Sequence, residues 1–184
     1  MKDNPLPEAA LPTGWDPGFG VNLFGQISSA TGLGATARHT ARAMMEAGVP
    51  MTVVDVQSYY DTSDVRDELA AIAHLIEADP RKLHYPVNIF CLPVIDFPQL
   101  AQRIPGLITE RRFNAAVVWW EATKLHPSWA DALMRLDAVI TYSEFLSEVI
   151  SNSLPLTPVV TGRQPLFLPP GVKPMREAFG IPSG

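Results

Sequence analysis

Apolar residues in this chain come in short compact runs, separated by longer stretches in which they recur every three or four positions. Val21, Leu23 and Phe24 with Ile27 form the first run, and its β-branched members predict a buried strand. Residues 28–34 are small and polar, with glycines at 32 and 34, and predict a turn. From Ala35 the spacing becomes helical. Ala37, Ala41, Met44 and Met45 share one face, while Arg38, Arg42 and Glu46 line another. Gly48 suits the position just past a helix end, and Pro50 blocks continuation. Residues 51–56 then read as a second strand. The unit is βαβ, with a glycine-bearing loop at a helix N-terminus. Free N–H groups and the helix dipole make such a place receptive to an anion, commonly a phosphate.

The alternation continues to the end of the chain. Residues 57–63 form a polar loop carrying Tyr59 and Tyr60. Residues 64–78 have helical spacing at Val65, Leu69, Ile72 and Ile76, with acids in the first turn. Residues 87–92 are a compact strand ended by Pro93. Residues 96–110 hold weak helical segments broken at Pro105 and Gly106. Residues 115–120 predict another buried strand, ending in Glu121. Pro127 or Ser128 opens a short helix carrying Trp129, Leu133 and Leu136. A fifth strand spans 138–142. Ser143 is placed to cap a helix over 144–151, because its hydroxyl accepts an orphan backbone N–H. Residues 158–161 give a sixth strand. No internal repeat is visible. The expectation is an α/β fold with a Rossmann-like open parallel sheet and helices on both faces. Residues 1–18 read as a flexible arm, 19–168 as the domain and 169–184 as a linker. Ligands in such sheets bind beyond the carboxyl ends of the strands. That points to residues 28–34, 57–60, 93–96, 121–126 and Ser143.

Composition narrows the function classes. The net charge of −5 and the lack of a basic run argue against a nucleic-acid partner. Cys91 is the single cysteine, which excludes an internal disulfide and a four-cysteine metal site. His39, His74 and His84 show no ligand spacing, so no metal is expected. No apolar run approaches the ~20 residues of a membrane span, and the Pro-rich start does not resemble a signal peptide. Cytoplasmic location is the default expectation. No P-loop lysine follows the glycines, and no nucleophile-elbow context surrounds a serine.

The glycine loop fits two classes. Gly32-Leu33-Gly34 with Ala37 satisfies G-x-G-x-x-A, and Asp55 ends the next strand about 20 residues on, as in an NAD-dependent oxidoreductase. Against this, residues 28–31 lengthen the loop and stand it away from the strand end. The second class comes from resemblance. The stretch GVNLFGQISSATGLGATARHTARAMMEAGVPMTVVDV resembles the start of glycosyltransferases of GT-B architecture, in particular glycosyltransferase family 4. VNIFCLP resembles the third strand of that domain. NAAVVWWEATKLHPSWADAL resembles a W-E-x-x-x-x-P-x-x-W segment of a bacterial branch. LDAVITYSEFLSEVI resembles the strand and helix that follow, and REAFGIP resembles the segment opening the second domain. Together these cover roughly residues 20–56 and 86–182.

The resemblance implies an N-terminal, acceptor-binding domain of a retaining enzyme that moves a sugar from a nucleotide-sugar donor to a sugar acceptor. The nucleotide sugar is a co-substrate, and no other cofactor is implied. The C-terminal domain would hold most of the donor. The family's paired glutamates have no place before Gly184, so the isolated chain is expected to be inactive, and homodimerisation through the bare cleft face stays open. A non-catalytic carbohydrate- or partner-binding module is the remaining alternative.

By the same resemblance, Gly32, Leu33 and Gly34 bring backbone against the donor's phosphate or sugar. Their other reading is a loop that needs positive φ or close packing. Arg38 either adds charge there or lies on a solvated helix face. Glu121 is the catalytic candidate, accepting hydrogen bonds from acceptor hydroxyls or influencing a proton in transfer. Its other reading is a structural partner. Lys124 and His126 follow it as candidate binding residues, His126 also reading as a packing histidine. Ser143 is either a helix cap or a ligand contact. Trp119 and Trp120 fall on opposite strand faces, one for the core and the other for a helix or a sugar.

Overall fold

The structure is a computed structural model that describes residues 18–56, 69–79, 82–104, 107–109, 111–168, 171–173 and 175–180. Six parallel strands form one sheet: β1 (Val21–Gly25), β2 (Met51–Asp55), β3 (Val87–Cys91), β4 (Phe113–Val117), β5 (Ala138–Thr141) and β6 (Val159–Thr161). Their order is β2-β1-β3-β4-β5-β6. The described α-helices of more than one turn are α1 (Gly32–Glu46), α2 (Phe97–Arg103), α3 (Pro127–Leu133) and α4 (Glu144–Ser153). The fold is therefore α/β with a Rossmann-like open parallel sheet, as the alternation of patterns predicts.

Strand alternation sends successive side chains to opposite faces, and each face has its own core. Val21, Leu23, Val53, Ile89 and Cys91 meet Ala37 and Ala41 of α1. Phe24, Val54, Phe90, Ala116 and Val139 meet Leu100, Leu133, Leu146 and Ile150 from α2, α3 and α4. Helices thus cover both faces. The strands are apolar on both sides because both sides are buried.

Helix α1 begins three residues earlier than the expected start at Ala35. Thr31 caps it, its hydroxyl accepting the Gly34 N–H at 3.2 Å. At the other end Gly48, at φ +72°, closes a Schellman turn. Its N–H bonds the Met45 carbonyl at 3.0 Å, and the Val49 N–H bonds that of Met44 at 2.9 Å. Helix α4 runs to Ser153, two residues beyond expectation, with Ser143 as its cap.

One expected helix ends sooner than its spacing predicts. The first part of residues 64–78 lies outside the described residues, as does the loop over 57–63. Of the rest, Leu69 and Ala70 are helical, and then come one 3-10 turn, Ala73–Leu75, and a single parallel bridge from Ile76 to Val53. Ile72 packs into the core and Ile76 joins the free edge of β2, so their spacing serves a sheet margin. Counting that bridge as a strand position makes the order 3-2-1-4-5-6-7, which begins as the dinucleotide-binding order does. Among the described residues no helix is long and apolar enough to cross a membrane.

A polar ladder runs through the sheet. Asn22, Asn88 and Asn114 occupy the second position of β1, β3 and β4 and stand in register. All three are buried. Asn22 Nδ2 donates to Asn88 Oδ1 at 2.9 Å, and Asn88 Nδ2 donates to Asn114 Oδ1 at 3.0 Å. Their remaining groups bond the segments that lead into the strands. Asn22 Oδ1 accepts the His84 and Tyr85 N–H groups. Asn88 Nδ2 reaches the Leu107 carbonyl, and Asn114 Nδ2 reaches that of Arg112.

Cys91 gives a separate test of the core. Burial pushes its thiol up to about 12 from an ordinary value of 9.0, against a small opposing effect of a hydrogen bond with Thr40. About three orders of magnitude less thiolate forms than in an exposed cysteine. The folded chain is expected to resist a thiol-specific disulfide reagent at pH 8 and to react with one equivalent once denatured. Rapid labelling of the folded chain would contradict this burial. Because the folded value is raised, the contribution to stability is fully present below the unfolded value near 9. It is lost as pH rises towards about 12.

Candidate functional site

In a parallel sheet a crevice opens where strand order reverses, because neighbouring connections leave to opposite sides. Here the reversal falls between β1 and β3, since β1 leads to β2 on one side and β3 lies on the other. A cavity of about 350 Å³ sits at that point, on the carboxyl edge. Gly32, Leu33 and Thr36 of α1 form one wall, and Pro93 and Val94 past β3 form the floor side. Trp119 and Glu121 past β4, with Trp129 of α3, make the opposite wall. Gln164, past β6, completes it and donates to the Thr36 hydroxyl at 3.3 Å.

Each wall has a local cause. Gly34 must be glycine for space. A Cβ there would lie 2.1 Å from the Ser29 carbonyl oxygen and 2.8 Å from that of Gln26. Gly32 meets nothing within 4 Å, so its missing side chain leaves the helix end open to the cavity. Neither glycine has positive φ, so close packing at Gly34 replaces that part of the expectation. Thr31 takes the Gly34 N–H, and no described residue caps the Gly32 and Leu33 amides at the cavity wall.

The loop between β1 and α1 is rigid through its own bonds. The Thr31 N–H and hydroxyl both meet Ser29 Oγ, at 3.3 and 3.1 Å. Arg38 is corrected here. It is 4% exposed rather than solvated. Its Nη1 donates to the carbonyls of Ile27 and Ser29, at 2.9 and 2.6 Å. That guanidinium clamps the loop from behind and does not line the cavity. Asp55 accepts the Ser28 N–H at 3.3 Å and so also serves this loop.

The strand expected over 115–120 is shifted to Phe113–Val117, so Trp119 and Trp120 lie in the segment past β4, and they take different surroundings there. Trp119, 37% exposed, lines the cavity and packs on Tyr142 with centroids 5.7 Å apart. Trp120 packs on Trp129 at 4.4 Å and donates its indole N–H to the Lys124 carbonyl at 2.8 Å. That bond fixes the turn carrying Glu121, which is exposed at the cavity rim.

Of the candidate residues, Gly32, Leu33 and Glu121 come together. Gly34, Lys124, His126 and Ser143 lie outside the cavity lining. His126 caps α3, its Nδ1 accepting the Ser128 N–H at 3.3 Å. Ser143 accepts the Leu146 N–H at 3.2 Å. Thr36, Trp129 and Gln164 were not singled out by sequence. Gln164 arrives because residues 162–168 return over α1, where Phe167 packs under the Arg42 guanidinium at 4.1 Å.

Asp96, beside the floor, accepts from Gln26 Nε2 at 3.4 Å, and burial raises its carboxyl above the ordinary range. Among the described residues no group of three or more histidine, cysteine or acidic side chains is arranged to hold a metal. The cavity thus offers uncapped helix amides, one rim carboxylate, amide and hydroxyl groups, and two indole surfaces. That set suits a ligand with an anionic end and a hydroxylated, partly apolar body. No protein-family model matches the chain, and no curated protein matches it.

Proposed function

We propose that this chain is the acceptor-side, Rossmann-like domain of a retaining GT-B glycosyltransferase resembling family 4. It works with a second Rossmann-like domain to move a sugar from a nucleotide-sugar donor to a hydroxyl of a sugar acceptor. The observation that carries the proposal is the switch-point cavity, which joins the Gly32-Leu33 helix end to Glu121 and Trp119.

Each group has a role in that reaction. The acceptor ring lies against the Trp119 indole, and Glu121 accepts a hydrogen bond from the attacking hydroxyl. The acceptor oxygen bonds the anomeric carbon as that carbon's bond to the diphosphate breaks, and the acceptor proton leaves with the departing phosphate oxygen. The Gly32 and Leu33 amides, at the positive end of α1, face the charge that grows on that leaving group. Holding both reactants in one cleft lowers the entropic part of the barrier. No metal is required by these roles. Arg38 acts through the loop it clamps, and Lys124, His126 and Ser143 hold the elements that flank the cleft.

The test is sugar transfer by these residues joined to their second domain, assayed over a panel of nucleotide sugars. Glu121→Gln is expected to lower kcat about 100-fold with Tm unchanged, the scale of losing one charged hydrogen bond that positions the attacking hydroxyl. The 184-residue chain by itself is expected to bind acceptor without turnover. Transfer at a normal rate by this chain alone, or an enzyme indifferent to Glu121→Gln and Trp119→Ala, would overturn the proposal.

A further inference from the structure

Trp119 is an aromatic wall of the carboxyl-edge cavity, yet its own anchorage is slight. Trp120 beside it is fixed by its indole bond to the Lys124 carbonyl and by Trp129. Trp119 is only partly buried. Among the described residues none accepts its indole N–H, and the ring packed against it is Tyr142.

Register explains that pairing. β4 and β5 align Val117 with Ile140, and the Val118 N–H still bonds the Ile140 carbonyl at 3.0 Å. Counting on two residues sets Trp119 opposite Tyr142, where the two rings meet. Tyr142 also packs against the core on the α1 side of the sheet. Its hydroxyl lies 3.3 Å from that of Thr40 on α1, in hydrogen-bond contact. Thr40 is one turn on from Thr36, which lines the cavity, and both threonines are buried. The Tyr142 ring therefore touches one wall of the cavity while its hydroxyl bonds the helix that forms the other. Burial raises that hydroxyl above its ordinary value of 10.0, so it keeps its proton through the neutral range. A phenylalanine would fill the same space. The hydroxyl costs desolvation, and what it returns is a fixed ring.

We propose that Tyr142 is a positioning residue of the carboxyl-edge cavity. Braced on Thr40, it holds the Trp119 indole at a set angle and distance from α1, and so prepares the face on which a ligand ring lies. Tyr142 is not itself in the lining, so it acts through Trp119. An indole held before the ligand arrives lowers the ordering cost of binding. That the ligand is a sugar acceptor rests on the proposed transferase reading; the bracing does not.

The experiment is NMR relaxation of the tryptophan indole N–H groups in the full chain without ligand. An order parameter of about 0.85 is expected for Trp119, falling below ~0.6 in Tyr142→Leu while Trp120 keeps its value. Tyr142→Phe and Thr40→Val should each give an intermediate value. The double variant should go no lower, because both changes remove the same bond. Thr40→Ser keeps the hydroxyl and should behave as the unsubstituted chain. In the joined two-domain enzyme, assayed over a panel of saccharide acceptors, Tyr142→Phe should raise the acceptor KM about 5-fold with kcat kept, the scale of one neutral hydrogen bond. Three results would overturn the role: an unmoved Trp119 indole in Tyr142→Leu, additive effects of Thr40→Val and Tyr142→Phe, or a loosened indole with an unchanged KM. The indole measurement needs no ligand. Absence of sugar transfer would therefore remove the transferase reading and leave the bracing to stand or fall on the indole alone.

Discussion

Gly34→Ala is expected to destabilise the chain by about 3 kcal/mol, at the upper end of the cost of overpacking. The new Cβ would sit 2.1 Å from the Ser29 carbonyl oxygen, inside van der Waals contact with backbone. A flexible side chain could step aside, but the Ser29 carbonyl also accepts Arg38 Nη1, so it cannot shift without breaking the clamp. The damage should extend past stability, because the Gly34 N–H is the one capped by Thr31. Gly32→Ala is the internal control. Its Cβ meets nothing, and removing glycine's freedom from the unfolded chain should stabilise the fold by ~0.4–1 kcal/mol. It also places a methyl group at the cavity wall, so ligand affinity should fall while stability rises. Urea unfolding of the two variants measures the contrast. Equal stability for both would remove the packing explanation for Gly34.

Asn88→Leu is expected to cost about 4 kcal/mol, more than the typical single substitution. Leucine has the same branched heavy-atom skeleton but bulkier methyl ends, so no cavity opens and the loss is mainly of hydrogen bonds. It leaves Asn22 Nδ2 without one acceptor, Asn114 Oδ1 without its donor and the Leu107 carbonyl without a partner, all buried. Each stranded group costs roughly 1–3 kcal/mol. Making all three asparagines leucine should not rescue the fold. The His84, Tyr85, Leu107 and Arg112 backbone groups would then lose their partners too. Thermal unfolding of single and triple variants distinguishes this from an ordinary polar-to-apolar swap, for which the triple variant would recover stability.

The strands and the first helix are legible because local chemistry and tertiary role agree there. Val21, Leu23 and Phe24 are apolar on both faces of a strand buried on both faces, and Gly48 takes the left-handed position its type favours. Legibility fails where propensity and position part. Two glycines at 32 and 34 read as loop, yet Thr31 caps them into the first turn of α1. Ile72 and Ile76 keep helical spacing but serve a 3-10 turn and a sheet edge. Asparagine is a poor strand former, so its recurrence at the second position of three strands reads as noise until the register aligns the carboxamides.

The same division applies to the site. Gly32, Leu33 and Glu121 follow from one rule, that ligands sit past strand ends, and the cavity lies there. Arg38 was misplaced because helical spacing puts it opposite the apolar face, while the preceding loop folds back over it and supplies two carbonyls. Gln164 depends on the path of residues 162–168 across α1, set by contacts such as Phe167 with Arg42, and no local pattern announces it.

The most direct test of a carbohydrate-binding cavity is amide and indole NMR of the chain during titration with a panel of acceptor saccharides. The chain has four tryptophans, so single Trp→Phe variants assign the indole signals. A saccharide that binds should move the Trp119 and Trp129 indole signals and the Gly32 and Leu33 amides together, and Glu121→Gln should abolish the response. If no saccharide moves them, while NAD shifts the Gly32 amide and Asp55→Ala removes that shift, the cavity is a dinucleotide site and the glycosyltransferase reading is wrong.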